Sequence, residues 1–366
     1  MLFDPMTIGS LTIRNRIMRS ATAERLADPE TGKPLPRLGE MYEALARGGV
    51  GLIVTGHAYV ERGGKAHPEM ASIADDTMIL AWREVVRPAQ NAGARVIMQI
   101  NHCGSGCDPM VTPKPISPSG VETASGAAPR AMSEEEVRRI VRAFGQAARR
   151  AREAGLDGVQ IHGAHGYLVT QFLSTMTNRR ADAWGGDPER RRAFLDMVIA
   201  EVRRQVGDDY PLWCKLGVAG KAESGLPLAE GAQVALACAQ QGVDCVEISH
   251  ALGIPEELDT RQEAAFRPLA EGVREAVGPG CPLALVHGFS TRAGMERVLE
   301  NGLVQMVSLC RPLIAEPDLP DKLRRVEGYE AACVRCGKCW PESPGEGAAC
   351  HNAAVQRKLG MMSTTG

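Results

Sequence analysis

The sequence predicts an α/β fold, an eight-stranded parallel (β/α)8 barrel, from three observations. Eight short apolar runs recur along the 366 residues, amphipathic helical patterns separate them, and polar residues gather at the ends of the runs. No glycine-rich turn follows the first run, as it would in an open dinucleotide-binding sheet.

In chain order the runs are "RIMRSA", "VGLIVTG", "ARVIMQINH", "GVQIHGA", "PLWCKLGV", "CVEISHA", "LALVHGF" and "QMVSLCRP". Each has strand length, and their near-continuous apolar character suits strands covered on both faces. Helical periodicity lies between them in "LGEMYEALARGG", "DTMILAWREVVRPAQNAG", "SEEEVRRIVRAFGQAARRAREAG" and "PERRRAFLDMVIAEVRRQVG". Ser133 and Glu136 form a capping-box signature, and trailing glycines suit helix C-caps. Residues 1–330 are expected to form this TIM barrel. Residues 331–366, which include "CVRCGKCWPESPGEGAACHN", are expected to form a Cys-rich C-terminal segment.

Hydrophobic residues make up 44% of the chain and charged ones 23%, and a net charge of -2 gives no long-range attraction for nucleic acid or anionic lipid. No signal-peptide pattern or bilayer-length apolar run is visible, so the expected setting is cytoplasmic and off the membrane. Eleven cysteines, an odd number without a secretory signal, are expected as reduced thiols or ligands rather than a disulfide framework.

In such barrels the residues just past the C-terminal strand ends line the active site. Those positions hold Gly56 and His57, then Gln99 and His102, then His162, His165 and Tyr167, followed by Lys215, His250, Gly288 and Arg311. They are expected to converge on one mouth, with His102 supporting it from its loop. The Pro/Gly/Ser-rich segment 104–130 is a candidate lid or binding loop. Cys103, just before it, and Cys107 within it are expected as inert small residues, with an accessible redox pair as the alternative. Lys215 also suits the Schiff-base nucleophile of a barrel lyase or aldolase.

The stretch "DGVQIHGAHGYLVTQFLSTMTNRRADAWGGDPERR", with "LTIRNRI", "GLIVTG", "ALVHGF" and "VSLCRPLIAEPD", resembles the old yellow enzyme family of NADH:flavin oxidoreductases. The likeness is to the branch that includes the barrel parts of 2,4-dienoyl-CoA reductase and trimethylamine dehydrogenase. The resemblance implies noncovalent FMN across the barrel mouth, NAD(P)H as hydride donor, and an ene-reductase acting on a small-molecule α,β-unsaturated carbonyl or thioester. Carried over by residue, Ala21, Thr22, Ala23, Gly56 and Gln99 meet the flavin ring, Lys215 its N1 and C2 carbonyl region, and Gly288, Cys310 and Arg311 the phosphate. His162 and His165 would hold the substrate carbonyl oxygen, and Tyr167 would supply the proton. Ala23 stands where many relatives carry a thiol or hydroxyl, and Ser105 stands where many carry an arginine.

The spacing Cys333-x2-Cys336-x2-Cys339-x10-Cys350 is similar to the run that holds a [4Fe-4S] cluster in that branch, and four thiolates also suit zinc. With a cluster, a separate electron-donor protein is an expected partner. A homo-oligomer is also expected. A dehydrogenase of an amine or cyclic ketone on the same flavin is the rival activity.

Overall fold

The computed structural model describes residues 1–121, 128–341, 343 and 345–361. Residues 122–127 of the candidate lid lie outside the described residues. The eight apolar runs form the eight barrel strands: β1 (Ile17–Arg19), β2 (Leu52–Val54), β3 (Arg95–Asn101), β4 (Gly158–Gly163), β5 (Leu212–Ala219), β6 (Cys245–His250), β7 (Leu283–Val286) and β8 (Met306–Leu309). All neighbouring pairs are parallel, and β8 returns to β1 with Val307 opposite Ile17, which closes the ring.

Eight outer helices follow the strands in alternation: α1 (Pro36–Arg47), α2 (Met78–Asn91), α3 (Glu134–Glu153), α4 (Pro188–Val206), α5 (Leu228–Gln240), α6 (Arg267–Val277), α7 (Arg292–Glu300) and α8 (Leu319–Arg325). The capping box is present: the Glu136 N–H donates to Ser133 Oγ at 3.2 Å, and the Ser133 N–H donates to Glu136 Oε2 at 2.9 Å. α1 starts two residues ahead of its predicted pattern because Pro36 occupies its first turn, where a fixed φ and a missing N–H cost nothing. Gly207, at φ +77°, ends α4 and donates to the Arg203 carbonyl.

Two apolar layers result. Between helices and barrel lie Trp82, Phe144 and Phe194, all fully or nearly fully buried. Inside the barrel a second cluster gathers Met18, Leu52, Ile97, Trp213, Cys245, Ala284 and Met306. A hairpin of Met6–Ile8 and Leu11–Ile13 packs Ile8, Leu11 and Ile13 into that cluster and so plugs the N-terminal end. With the floor closed, the interior of the barrel opens toward its C-terminal mouth. All eleven cysteines are free thiols. Among the described residues no helix is long and apolar enough to cross a membrane.

Candidate active site

Side chains alternate along a strand, so the inward residue two positions past each floor residue stands one layer closer to the mouth. Trp213 is followed by Lys215, Cys245 by Glu247, Met306 by Ser308, Met18 by Ser20 and Ile97 by Gln99. These polar residues form one connected network. Glu247, 0% exposed, accepts through Oε1 from Ser20 and Ser308 at 2.7 Å each and from Lys215 Nζ at 3.0 Å. Its Oε2 accepts from Gln160 Nε2 at 3.0 Å, and Gln160 Oε1 accepts from Gln99 Nε2 at 2.7 Å. Lys215 Nζ also donates to Ser20 Oγ at 2.7 Å. Burial alone would raise the Glu247 carboxyl, but Lys215 and the two hydroxyls prevail and hold it below the usual carboxylate value. A buried carboxylate and ammonium paired and hydrogen-bonded in this way avoid the cost of an isolated buried charge.

Above this network the turn after β4 folds back sharply. His165 and Gly166 both take positive φ, +58° and +75°. A non-glycine residue there is uncommon, and such conformations collect at functional sites. The turn sets the His162 ring 5.1 Å from His165 and 5.0 Å from Tyr167, both edge-on, with His250 4.7 Å from His165. The Ala164 N–H donates to His162 Nδ1 at 3.2 Å, so the imidazole carries its proton on Nε2 and presents a donor. His165 Nε2 lies 2.8 Å from Ser249 Oγ; when that hydroxyl donates, His165 presents Nδ1–H.

Desolvation, helped by His57 and Lys215, holds the His162 imidazole well below its ordinary pKa. Desolvation and Lys215 do the same for His165. His165 nonetheless stays open to the two cavities it borders. Burial pushes the Tyr167 phenol up to about 12. At neutral pH the site therefore offers neutral imidazoles and a protonated phenol.

These groups surround two adjoining cavities. One of about 320 Å³ is lined by Ala21, Thr22, Ala23, His57, Gln99, His162, His165 and Tyr167, with Cys339 and Trp340 from the tail. The other, about 180 Å³, is lined by Lys215, Ser249, His250, His287, Gly288 and Arg335. Ala21, His165, Cys310 and Arg311 border both. Thr22 Oγ1 and Cys310 Sγ, 3.1 Å apart, tie the ends of β1 and β8 together at the junction.

The residues fit a flavin mononucleotide. A phosphate needs cations and a close backbone approach. Arg311 and Arg335 supply the cations, and Gly288 the approach: its φ is +86°, and a Cβ there would meet the Gln262 carbonyl at 2.4 Å. A flavin ring edge needs amide and ammonium donors, and Gln99 and Lys215 line the same two cavities.

Of the predicted site residues, Gly56 and His102 do not line either cavity. The Gly56 N–H donates to Glu24 Oε1 at 2.7 Å, and a Cβ there would meet the Thr22 carbonyl at 2.6 Å, so it supports the β1 end from behind. His102 is fully buried and accepts the Gly104 N–H through Nδ1 at 3.0 Å, which fixes the start of the following loop. Cys103 and Cys107 are buried free thiols, not an accessible pair. Sequence reasoning missed Glu247 and Ser249, whose signal was their inward register two residues apart, and Arg335 and Trp340, for which the barrel pattern carried none.

Among the described residues, no three His, Cys, Asp or Glu side chains stand close enough to hold a metal ion. Cys333 and Cys350 pack against Ala315, Ala332 and Val355, while Cys336 is exposed with Asn352 Nδ2 donating to its Sγ at 3.4 Å. Cys339 faces the larger cavity, and burial pushes its thiol up to about 11. The structure thus gives no support to a [4Fe-4S] cluster or zinc at Cys333, Cys336, Cys339 and Cys350, although the four thiols stand near enough for their charges to act on one another.

The sequence profile of the NADH:flavin oxidoreductase / NADH oxidase family matches residues 1–327. An NADH oxidase of Thermoanaerobacter brockii is 35% identical over 353 residues, 92% of this chain and 52% of the oxidase. An NADPH dehydrogenase of Geobacillus sp. is 32% identical over 324 residues, 87% of this chain and 92% of that protein. The solved 2-naphthoyl-CoA reductase in complex with 2-naphthoyl-CoA superposes with a TM-score of 0.85 at 26% identity, covering 90% of this chain and 53% of that one. The chain thus spans about half the length of the oxidase and of the reductase. Profile, relatives, fold and site agree: the chain belongs to the NADH:flavin oxidoreductase / NADH oxidase family, the family of the old yellow enzymes.

Proposed function

We propose that this chain is an FMN-dependent NAD(P)H oxidoreductase that reduces the activated C=C of an α,β-unsaturated carbonyl or thioester. The observation that carries the reading is the pair His162 and His165 with Tyr167 around one cavity, with the His162 proton fixed on Nε2 by the Ala164 N–H. Ala21, Thr22, Ala23, Gln99 and Lys215 would hold the FMN ring, and Gly288, Cys310 and Arg311 its phosphate. Noncovalently bound FMN would supply hydride transfer from NAD(P)H to the alkene β-carbon.

The protein's own part is to orient the substrate and move a proton. Reduction of the alkene places negative charge on the substrate's carbonyl oxygen. His162 Nε2–H and a ring N–H of His165 are fixed donors for that oxygen and are neutral before substrate arrives. Losing one such preorganised donor typically costs about 2.7–4 kcal/mol. Tyr167, with its phenol held up at about 12, stays protonated and delivers the proton to the α-carbon. Lys215 is occupied by Glu247 and Ser20, which favours an electrostatic role over a Schiff-base nucleophile. The reductase superposed above is named for a thioester ligand, which puts enoyl thioesters first in the substrate panel.

The test is anaerobic reduction of the purified holoprotein with NADH or NADPH, then reoxidation by 2-cyclohexen-1-one, crotonyl-CoA and a nitroalkene. Flavin absorbance should bleach and return with at least one acceptor while the alkene is saturated. A protein without flavin that is instead trapped by borohydride with a carbonyl compound would sink the proposal.

A further inference from the structure

If Tyr167 gives up a proton in each cycle, its partly buried phenoxide must be refilled before the next one. Two imidazoles stand edge-on to it, His162 and, with ring centroids 5.3 Å apart and lining the same cavity, His57. Behind His57 stands His67, their Nε2 atoms 3.5 Å apart. Two facing imidazole nitrogens share one proton between them, because two facing N–H groups clash and two bare nitrogens repel. The other nitrogen of His67, Nδ1, has no hydrogen-bond partner and lies 3.6 Å from Glu69 Oε2. Glu69 in turn meets Arg25 Nη1 at 3.5 Å. The His67 side chain is 13% exposed, while Nδ1 itself is buried.

Beside both rings is a cavity of about 10 Å³ bordered by Glu24, Arg25, His57, His67 and Glu69, about the size of one probe sphere. The charged and titratable groups facing His67 are Arg25, Lys65, Glu69 and His57. Those facing His57 are His67, His162 and Tyr167. Burial keeps His57 and His67 neutral, at about 3 and about 4, so each ring has one N–H to give and one bare nitrogen to receive.

We propose that His67 and His57 form a proton-return relay from solvent to Tyr167, a role that rests on the reading of Tyr167 as the acid above. One proton leaves Tyr167 Oη for the substrate α-carbon. His57 gives its ring proton to the tyrosinate oxygen and takes one at Nε2 from His67 Nε2. His67 takes one at Nδ1 from a water held in the small cavity beside Glu69, which solvent then replenishes. Each cycle consumes one solvent proton, moves no electrons along the row and leaves each N–H on the opposite ring nitrogen, so both rings turn over before the next cycle. His57 and His67 are positioning residues that act through Tyr167, and His67 does not line the substrate cavity.

The test uses the FMN-loaded full chain with NADPH and 2-cyclohexen-1-one. In His67→Ala the first turnover in stopped flow should stay within about twofold of the parent, while steady-state turnover falls about tenfold or more. Added imidazole should restore the steady state, and the loss should deepen with rising pH as solvent protons become scarcer. His67→Gln, which keeps a polar side chain of similar bulk, should be equally slow. Steady-state rates and a pH profile matching the parent, or full recovery by Gln with none by imidazole, would overturn the relay. Tyr167→Phe separates the two ideas: it should slow the first turnover itself, and if it does not, the acid assignment fails rather than the relay alone.

Discussion

At the floor of the barrel Met18, Ile97, Trp213, Cys245 and Met306 fill the interior, each fully buried. Two residues further along the same five strands stand Ser20, Gln99, Lys215, Glu247 and Ser308, almost as buried but joined through hydrogen bonds of 2.7–3.0 Å. The strand period alone separates them. The floor is held by shape, so its members are exchangeable for others of like volume. The mouth is held by partner identity, where removing one group strands another in a poorly solvated place.

The sharpest way to break that contrast is at the mouth. Replacing His162 and His165 together by alanine removes two donors, and enone reduction should fall by about a hundred- to a thousand-fold or more. Phenol ligands should bind the oxidised protein more weakly, the flavin should stay bound, and the urea midpoint should barely move. Loss of flavin without a selective effect on ligands would merge the two regions again.

Trp213→Ala is the opposite experiment. It should cost about 3–5 kcal/mol in urea unfolding, as large buried aromatics do, while the surviving folded fraction keeps its ligand affinity.

Acid sharpens the comparison further because the floor has nothing that titrates below neutral pH: its one ionisable group, the Cys245 thiol, is pushed up by burial. Burial depresses His57 to about 3, and His67 and His250 to about 4. Unfolded, each would take a proton near pH 6.5. Between about pH 6.5 and 4 the unfolded chain therefore binds more protons than the folded one, and stability falls as pH is lowered. The slope is up to about 1.4 kcal/mol per pH unit for each group. Melting temperatures from pH 7 to 5 should show this drop, and it should shrink in His67→Gln.

The apolar runs and the periodicity between them made the eight strands legible, because burial on both faces leaves a mark on every residue of a strand. The "HGAHGY" turn was legible because it places three unusual side chains at one strand end. Position at a strand end, however, does not give direction. His102 lies out of phase with the inward Gln99, and its ring serves the following loop instead. A glycine such as Gly56 has no side chain to aim. The meeting of His57 with His67, and of Arg335 and Trp340 with the barrel mouth, depends on how loops fold back over long separations. No local pattern encodes that, and the tail cysteines show the limit of spacing: it brings four thiols into one small region without assembling a ligand set among the described residues.

The pairing of β8 with β1, Val307 beside Ile17, has a consequence for how the chain is made. During synthesis the first strand leaves the ribosome long before its partner exists, and its other neighbour, β2, covers one edge only. Ring closure therefore waits for nearly the whole barrel, a contact of very large sequence separation and so a slow one. Until then two strand edges stay open to wrong partners, and yield at higher expression temperature should be limited there rather than by the stability of the finished fold.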